Sequence, residues 1–307
     1  MSRTRIPDEI LNLAHARKRA REGRDWPEAD RLRTEIEASG WTIVDRGTDF
    51  ALAPAHPPDV EDTERVRYGR SASVPSRLDE PASGIATVVL VADEPASDTE
   101  RALGGLRAHA GDDLQVLVAT ALPDLDAGDA EVVWTSEHLG QAGMLNAAIR
   151  RATAPIVVVL DPSVEPTGDV VTPLVRALDD PTVGVAGGWV VISRDVRHFE
   201  EAPPGDGAAI EGYLMAFRRD DYKSRGPLDE KFRFYRNLDL WWSLVLRDEG
   251  QGNVPRRAVA VPDLPAVRHE HRAWESTPAG ERERLSKRNF YRIINHFGPR
   301  RDLAVTR

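Results

Sequence analysis

The 307-residue sequence predicts an α/β fold with a mainly parallel central sheet, preceded by a small helical hairpin domain. Three observations carry this. From residue 85 to 193 apolar runs of strand length alternate with helical patterns, which implies βαβ units and a parallel sheet. Residues 10–38 carry two apolar stripes at helical spacing. Between the two regions, residues 53–84 are rich in Pro, Ser and charge and poor in apolar side chains.

In the first region, Ile10, Leu11, Leu13 and Ala14 begin one helix, and Ala29, Leu32, Ile36 and Ala38 a second. The intervening GRDWPEAD supplies a Gly stop, an Asp suited to the N-cap and Pro27 for the first turn. Gly40 ends the second helix and WTIVD reads as a strand. The expected boundaries are 1–52 for this domain, 53–84 for a flexible linker that buries no core, 85–275 for the α/β domain and 276–307 for a C-terminal helix packed on it.

In the α/β region, strands are expected at 85–93, 114–120, 131–135, 155–161 and 183–193, with helices at 97–111, 140–153 and 169–180. In such sheets, ligands sit beyond the carboxyl ends of the strands. Asp93, Thr120 and Asp161 are placed there.

Composition bounds the function. A formal charge of -9 argues against wholesale binding to nucleic acid. Without cysteine there is neither a disulfide framework nor a thiolate metal site. The longest apolar runs, such as IVVVL at 156–160, fall far short of the roughly 20 residues that span a bilayer. No apolar stretch follows MSRTRIPDEI as a secretory signal requires, so a cytoplasmic location is expected.

Two resemblances sharpen these expectations. AHARKRAREGRDWPEADRLRTEIEASGWTIVD, within residues 6–50, resembles the C-terminal helical segment of cysteinyl-tRNA synthetases. That likeness implies either an RNA or protein contact through Arg17, Lys18 and Arg21, or a small add-on with a solvated basic face. Residues 85–300 resemble family 2 glycosyltransferases with the GT-A fold. The resemblance rests on LGQAGMLNAAIRRATAPIVVVLDPSVEP, on EGYLMAFRRDDYKSRGPLDEKFRFYRNLDLWWSLVLRDEG and on SKRNFYRIINHFG, in that order.

The resemblance implies transfer of a sugar, with inversion, from a nucleoside diphosphate sugar donor to an unknown hydroxyl acceptor. Asp161, Ser163, Asn146 and Asp93 become nucleotide-sugar residues. Gly212, Asp229, Glu230 and Asn237 fall on the acceptor side. Asp239 is the expected base, with Glu211 as second candidate. A divalent cation, Mg or Mn, is expected on Asp161 and His269, since carboxylate oxygen suits both ions and imidazole suits Mn.

The sequence also departs from the family pattern. Ser163 stands where the second carboxylate of Asp-x-Asp belongs, and Glu165 replaces it only if the turn re-aims it. Arg236 and Asn237 occupy positions that are usually acidic. Asn237 takes up no proton near neutral pH, so Asn237 and Asp239 are equally readable as caps of the helix that holds WWSLVL. Arg218, Arg219 or Arg268 offers a metal-free way to neutralise a diphosphate. The alternative function is therefore a catalytically degenerate GT-A domain that binds a nucleotide, a glycan or a partner. A pocket filled by Trp241 or Trp242 would point that way.

Overall fold

The computed structural model describes residues 6–47, 49–61, 65–111 and 113–306. The chain forms two compact units, Met1–Val60 and Glu61–Arg307.

The smaller unit pairs the helices Asp8–Glu22 and Trp26–Ala38 with an antiparallel hairpin, Trp41–Arg46 against Asp49–Pro54. The second helix starts as its sequence dictates. The Asp25 side chain accepts from the Glu28 amide at 3.2 Å, and Pro27 occupies the first turn. Ile10, Ala14, Ile36, Trp41 and Ile43 form the core. The expected single strand is a hairpin because Phe50 and Leu52 supply a second row of apolar contacts to that core.

The larger unit is built on an eight-stranded sheet. Its order is Gly205–Gly207, Arg257–Ala260, Val183–Gly187, Leu214–Arg218, Ile156–Leu160, Ala86–Ala92, Leu114–Thr120, Glu131–Trp134. Four pairings are parallel and three antiparallel, the Leu214–Arg218 strand running against both its neighbours. The apolar runs are continuous because both sheet faces are covered. Val89, Val91, Val157 and Val159 join one core, while Val88, Leu90, Val158 and Leu160 join the other.

Two expectations need correction. The run at 183–193 is two strands, Val183–Gly187 in the main sheet and Val190–Ile192 in a three-stranded sheet with Glu200–Ala202 and Ala209–Ile210. The break falls at Gly187, where a Cβ would lie 2.1 Å from Ile210 Cγ2 and 2.5 Å from the Leu214 carbonyl. Flexible linker is also the wrong description of residues 66–83. Tyr68 bridges to Thr135, and its backbone exchanges hydrogen bonds with Trp134 and Ser136. Val74 is 1% exposed against Val133 and Ala147, and its carbonyl accepts from Arg150 Nε at 2.7 Å. Average composition missed this because a few anchors suffice to tie down an otherwise polar strap.

The C-terminal helix, Ala279–Phe297, buries Asn289, Ile293 and Phe297. Asn289 Nδ2 donates to the carbonyls of Phe234 and Arg236, both at 2.9 Å, and Asn237 Nδ2 donates to the Ser286 carbonyl at 3.0 Å. These bonds fix the 234–237 turn, in which Asn237 is left-handed with φ 70°.

Candidate functional site

Asp161 follows the Ile156–Leu160 strand at its carboxyl end. Its carboxylate closes a tight local turn: Oδ1 accepts from the Ser163 amide at 2.8 Å and also from the Ser163 hydroxyl. Ser163 is 3% exposed, so it is a buried brace for Asp161. The next residues, Val164–Pro166, pair antiparallel with Ala266–Arg268, with Arg268 opposite Val164. That register carries the chain back over the Asp161 turn, where the His269 amide donates to the Ser163 carbonyl at 2.7 Å.

His271, rather than His269, reaches Asp161. Its Nε2 lies 3.2 Å from Asp161 Oδ2, and the His269 ring is taken up by Glu165 at 2.8 Å. The same pairing removes Glu165 as a substitute for the missing carboxylate. The His271 ring stacks on Tyr235, with centroids 3.9 Å apart at 14°, and meets Tyr213 edge-on at 6.2 Å. Burial works against ionisation of Asp161, but the neighbouring His271 and the hydrogen bonds from Ser163 outweigh it and hold the carboxyl below its ordinary range.

A second pair of carboxylates comes from Glu211 and Asp239. Asp239 sits in the first turn of the helix Leu238–Arg247, where its Oδ2 accepts from the Gly212 amide and its Oδ1 from the Leu240 amide, both at 2.9 Å. Burial nevertheless pushes the Asp239 carboxyl up. Asn237 holds the N-cap position without a side-chain cap bond, so the capping alternative fails for it. Glu211 precedes Gly212, with Arg268 at 3.6 Å. Burial first, and then the charge of Asp239, push the Glu211 carboxyl up to about 7.

Asp161, His271, Glu211 and Asp239 all line one cavity of about 630 Å³ at the carboxyl end of the sheet. Trp242 contributes to its wall but does not fill it: its ring packs edge-on against Phe217 and Tyr222. Trp241 packs against Phe232, His296 and Phe297. The cavity is therefore open for a ligand of substantial size.

Several expected site residues do other work. Asn146 is 1% exposed and is fully used inside the fold. It donates to the Leu228 carbonyl and to Glu230, and accepts from the Tyr222 hydroxyl and the Leu228 amide, at 2.9–3.0 Å. Glu230 is engaged by Asn146 and Ser71. Asp229 accepts from the Lys231 amide at 3.0 Å and shapes the loop. Asp93 sits 3.4 Å from His138. Thr120 donates to the Ala92 carbonyl. Arg218 is spent on the carbonyls of Leu178, Asp180 and Val183, and Arg219 on that of Thr153. Of the three arginines expected near a diphosphate, Arg268 alone keeps that role open, lying over the Tyr213 ring at 4.7 Å.

Sequence reasoning missed Tyr213 and Tyr235, because nothing in the spacing reveals that one His is sandwiched by two rings. It chose between His269 and His271 without the strand register that decides the matter.

A divalent cation fits this site in part. Both ring nitrogens of His271 are buried without a hydrogen-bond partner of ordinary geometry, and Nε2 lies 3.2 Å from Asp161 Oδ2. Among the described residues, however, no group of three or more His, Cys, Asp or Glu side chains converges. Two protein donors suit an ion that takes its remaining ligands from substrate phosphates and water.

In the smaller unit, the basic residues expected to contact RNA are paired within the unit. Arg17, 5% exposed, and Arg21 both bind Asp45, and Lys18 lies 3.6 Å from Asp49. Among the described residues no helix is long and apolar enough to cross a membrane.

Comparison with known proteins agrees with this fold. Residues 112–238 match the family model described as Glycosyl transferase family 2. In solved structures, GalNAc-T7 with UDP, GalNAc and Mn2+ superposes with a TM-score of 0.58 at 13% identity, over 71% of this chain and 50% of that one. Mannosyltransferase PcManGT of Pyrobaculum calidifontis, in complex with GDP-Man and Mn2+, gives 0.53 at 21% identity, over 75% of this chain and 71% of that one. Among curated proteins, a short segment matches cysteine–tRNA ligases. The one from Opitutus terrae is 42% identical over 50 residues, 16% of this chain, and the one from Rubrobacter xylanophilus is 54% identical over 47 residues, 15% of this chain. The chain spans only 11% and 10% of those two proteins. The larger unit is thus a GT-A fold that resembles the family 2 glycosyltransferases, and it follows a small unit that resembles a cysteinyl-tRNA synthetase segment.

Proposed function

We propose that this chain is an inverting glycosyltransferase that moves a sugar from a nucleoside diphosphate sugar to a hydroxyl acceptor. The observation that supports it best is the convergence of Asp161 and His271 with Glu211 and Asp239 on one open cavity in a GT-A fold. The reaction needs two things at that cavity. Negative charge that grows on the departing diphosphate must be offset, and the attacking hydroxyl must lose a proton.

Asp161 Oδ2 and His271 Nε2 would hold a Mg or Mn ion, and the ion would supply countercharge for the diphosphate. Tyr235 and Tyr213 keep the His271 ring in place for this. Arg268 adds a fixed positive charge beside the same cavity.

Glu211 takes the proton from the acceptor oxygen as that oxygen bonds to the anomeric carbon, and the bond from that carbon to the diphosphate breaks. A carboxyl at about 7 is matched to this task at neutral pH. Asp239, with both oxygens held by backbone amides, positions Gly212 and keeps Glu211 basic. Activity therefore rises with pH through about 7 and then levels.

One observation favours a second reading, a binding module without chemistry: the hydroxyl of Ser163 is committed to Asp161 where the family has a metal-binding carboxylate. A thermal-shift screen against UDP-, GDP- and dTDP-sugars, with Mn, with Mg and with chelator, separates the two. A ligand at about 100 times its Kd adds about 2.7 kcal/mol. The transferase reading predicts a metal-dependent shift followed by slow release of nucleoside diphosphate. A metal-independent shift without release supports the binding module. No shift with any nucleotide sugar refutes both.

A further inference from the structure

Beside the carboxylates, the cavity wall includes Arg236. Its guanidinium lies over the Trp274 ring, 4.7 Å from the centroid. A second guanidinium, that of Arg282, lies over the same ring at 4.3 Å and donates to the Trp274 carbonyl at 2.8 Å. Two positive charges are thus held around one indole. Among the described residues, neither has a carboxylate oxygen within 4.0 Å, although the charge of Arg236 acts on Glu211 and Asp239. The backbone beneath both residues is tied: Asn289 donates to the Arg236 carbonyl, and the Trp274 amide donates to the His271 carbonyl at 2.9 Å.

An anion that reaches both guanidiniums offsets two like charges at once. The indole pre-orders both side chains, so little entropy is lost on binding. Glu200 and Glu201 line the same cavity, so its charge is mixed.

We propose that Arg236 and Arg282, presented on Trp274, form an oxyanion subsite for the acceptor, which therefore carries a phosphate or carboxylate close to its reacting hydroxyl. The proposal rests on the transferase reading and narrows it. Through Arg236, which lines the same cavity, the subsite adjoins Asp239 and Glu211, where the hydroxyl is deprotonated, and the donor's diphosphate is assigned to the Asp161 and His271 end.

The test uses the full chain with saturating UDP and Mn2+. Glycerol 3-phosphate, glycerate and glycerol are titrated by calorimetry, and UDP affinity is measured separately for every variant. The expected result is saturable binding of glycerol 3-phosphate or glycerate, with glycerol at least tenfold weaker. Whichever anion binds tighter identifies its class. Arg236→Gln and Arg282→Gln should each weaken the anion tenfold and leave UDP affinity within twofold. Lys287→Gln, a charge on the same helix paired with Glu283, should change neither. Equal binding of glycerol and glycerol 3-phosphate overturns the proposal. So does a loss of UDP affinity in Arg236→Gln, which would give Arg236 to the donor. If the unaltered chain binds none of UDP, GDP and dTDP, the transferase reading itself is refuted, and with it the acceptor role; if it binds GDP or dTDP in place of UDP, the same titrations are run with that nucleotide.

Discussion

Glu211→Gln replaces an acid by a neutral side chain of the same shape at a place where charge is costly. Glu211 has an ordinary value of 4.5 and is pushed up to about 7 by burial and by Asp239, against the pull of Arg268. Between those two values the folded chain keeps a proton that the unfolded chain has released. Stability must therefore fall as pH rises from 4.5 to about 7, and level off above that. At about 1.4 kcal/mol per pH unit, this one group costs about 3 kcal/mol at pH 8, net of Arg268. Glutamine mimics the protonated form at every pH. The variant should match the unaltered chain near pH 4.5, gain on it through the window, and exceed it by about 3 kcal/mol at pH 8. Urea denaturation of both proteins at five pH values measures the difference directly. A difference that is flat with pH would refute the reasoning, because it would mean that Glu211 ionises in the folded chain as it does in water. The variant should also lose transfer activity, which makes Glu211 a site where stability is given up for a poised base.

Three further outcomes follow from the same geometry. Ser163→Asp forces a second carboxylate against Asp161 at a position 3% exposed, so it should cost about 3 kcal/mol in chelator and recover in Mn2+; urea melts under both conditions check this, and no recovery would show that the position does not face the ion. Asn146→Ala removes a side chain that makes four hydrogen bonds, and should cost about 3 kcal/mol while leaving UDP affinity within twofold; lost affinity with unchanged stability would return Asn146 to the binding site. Asn289→Ala leaves two carbonyls of the 234–237 turn unpaired and should cost about 2 kcal/mol, with faster amide exchange at Arg236 and Asn237 as its local signature.

Much of the fold was legible in the chain because the apolar runs at 86–92, 114–120 and 156–160 are buried on both faces, and such runs have few other uses. The split of 183–193 was hidden because Gly187 and Gly188 read as tolerated residues within a strand. Only the packing of Ile210 shows that the chain must turn there. The strap at 66–83 was hidden for a different reason: its burial rests on few residues, chiefly Tyr68 and Val74, whose partners lie some 60 to 80 positions away. At the site, Asp161 was readable from its place after a buried strand. His271 was not, because its approach depends on the pairing of Val164–Pro166 with Ala266–Arg268, a contact about 100 residues apart in sequence. Asn146 shows the converse. A residue that the family pattern singles out belongs here to the support of the cavity floor.

Equilibrium binding of UDP- and GDP-sugars to the unaltered chain, His271→Ala, His269→Ala and Asp161→Asn, each with Mn2+ and with chelator, tests the central claim most directly. The account predicts metal-dependent binding that falls at least tenfold in His271→Ala and Asp161→Asn and stays within twofold in His269→Ala. Binding that is indifferent to His271 and Asp161, or that is lost in His269→Ala alone, would contradict it.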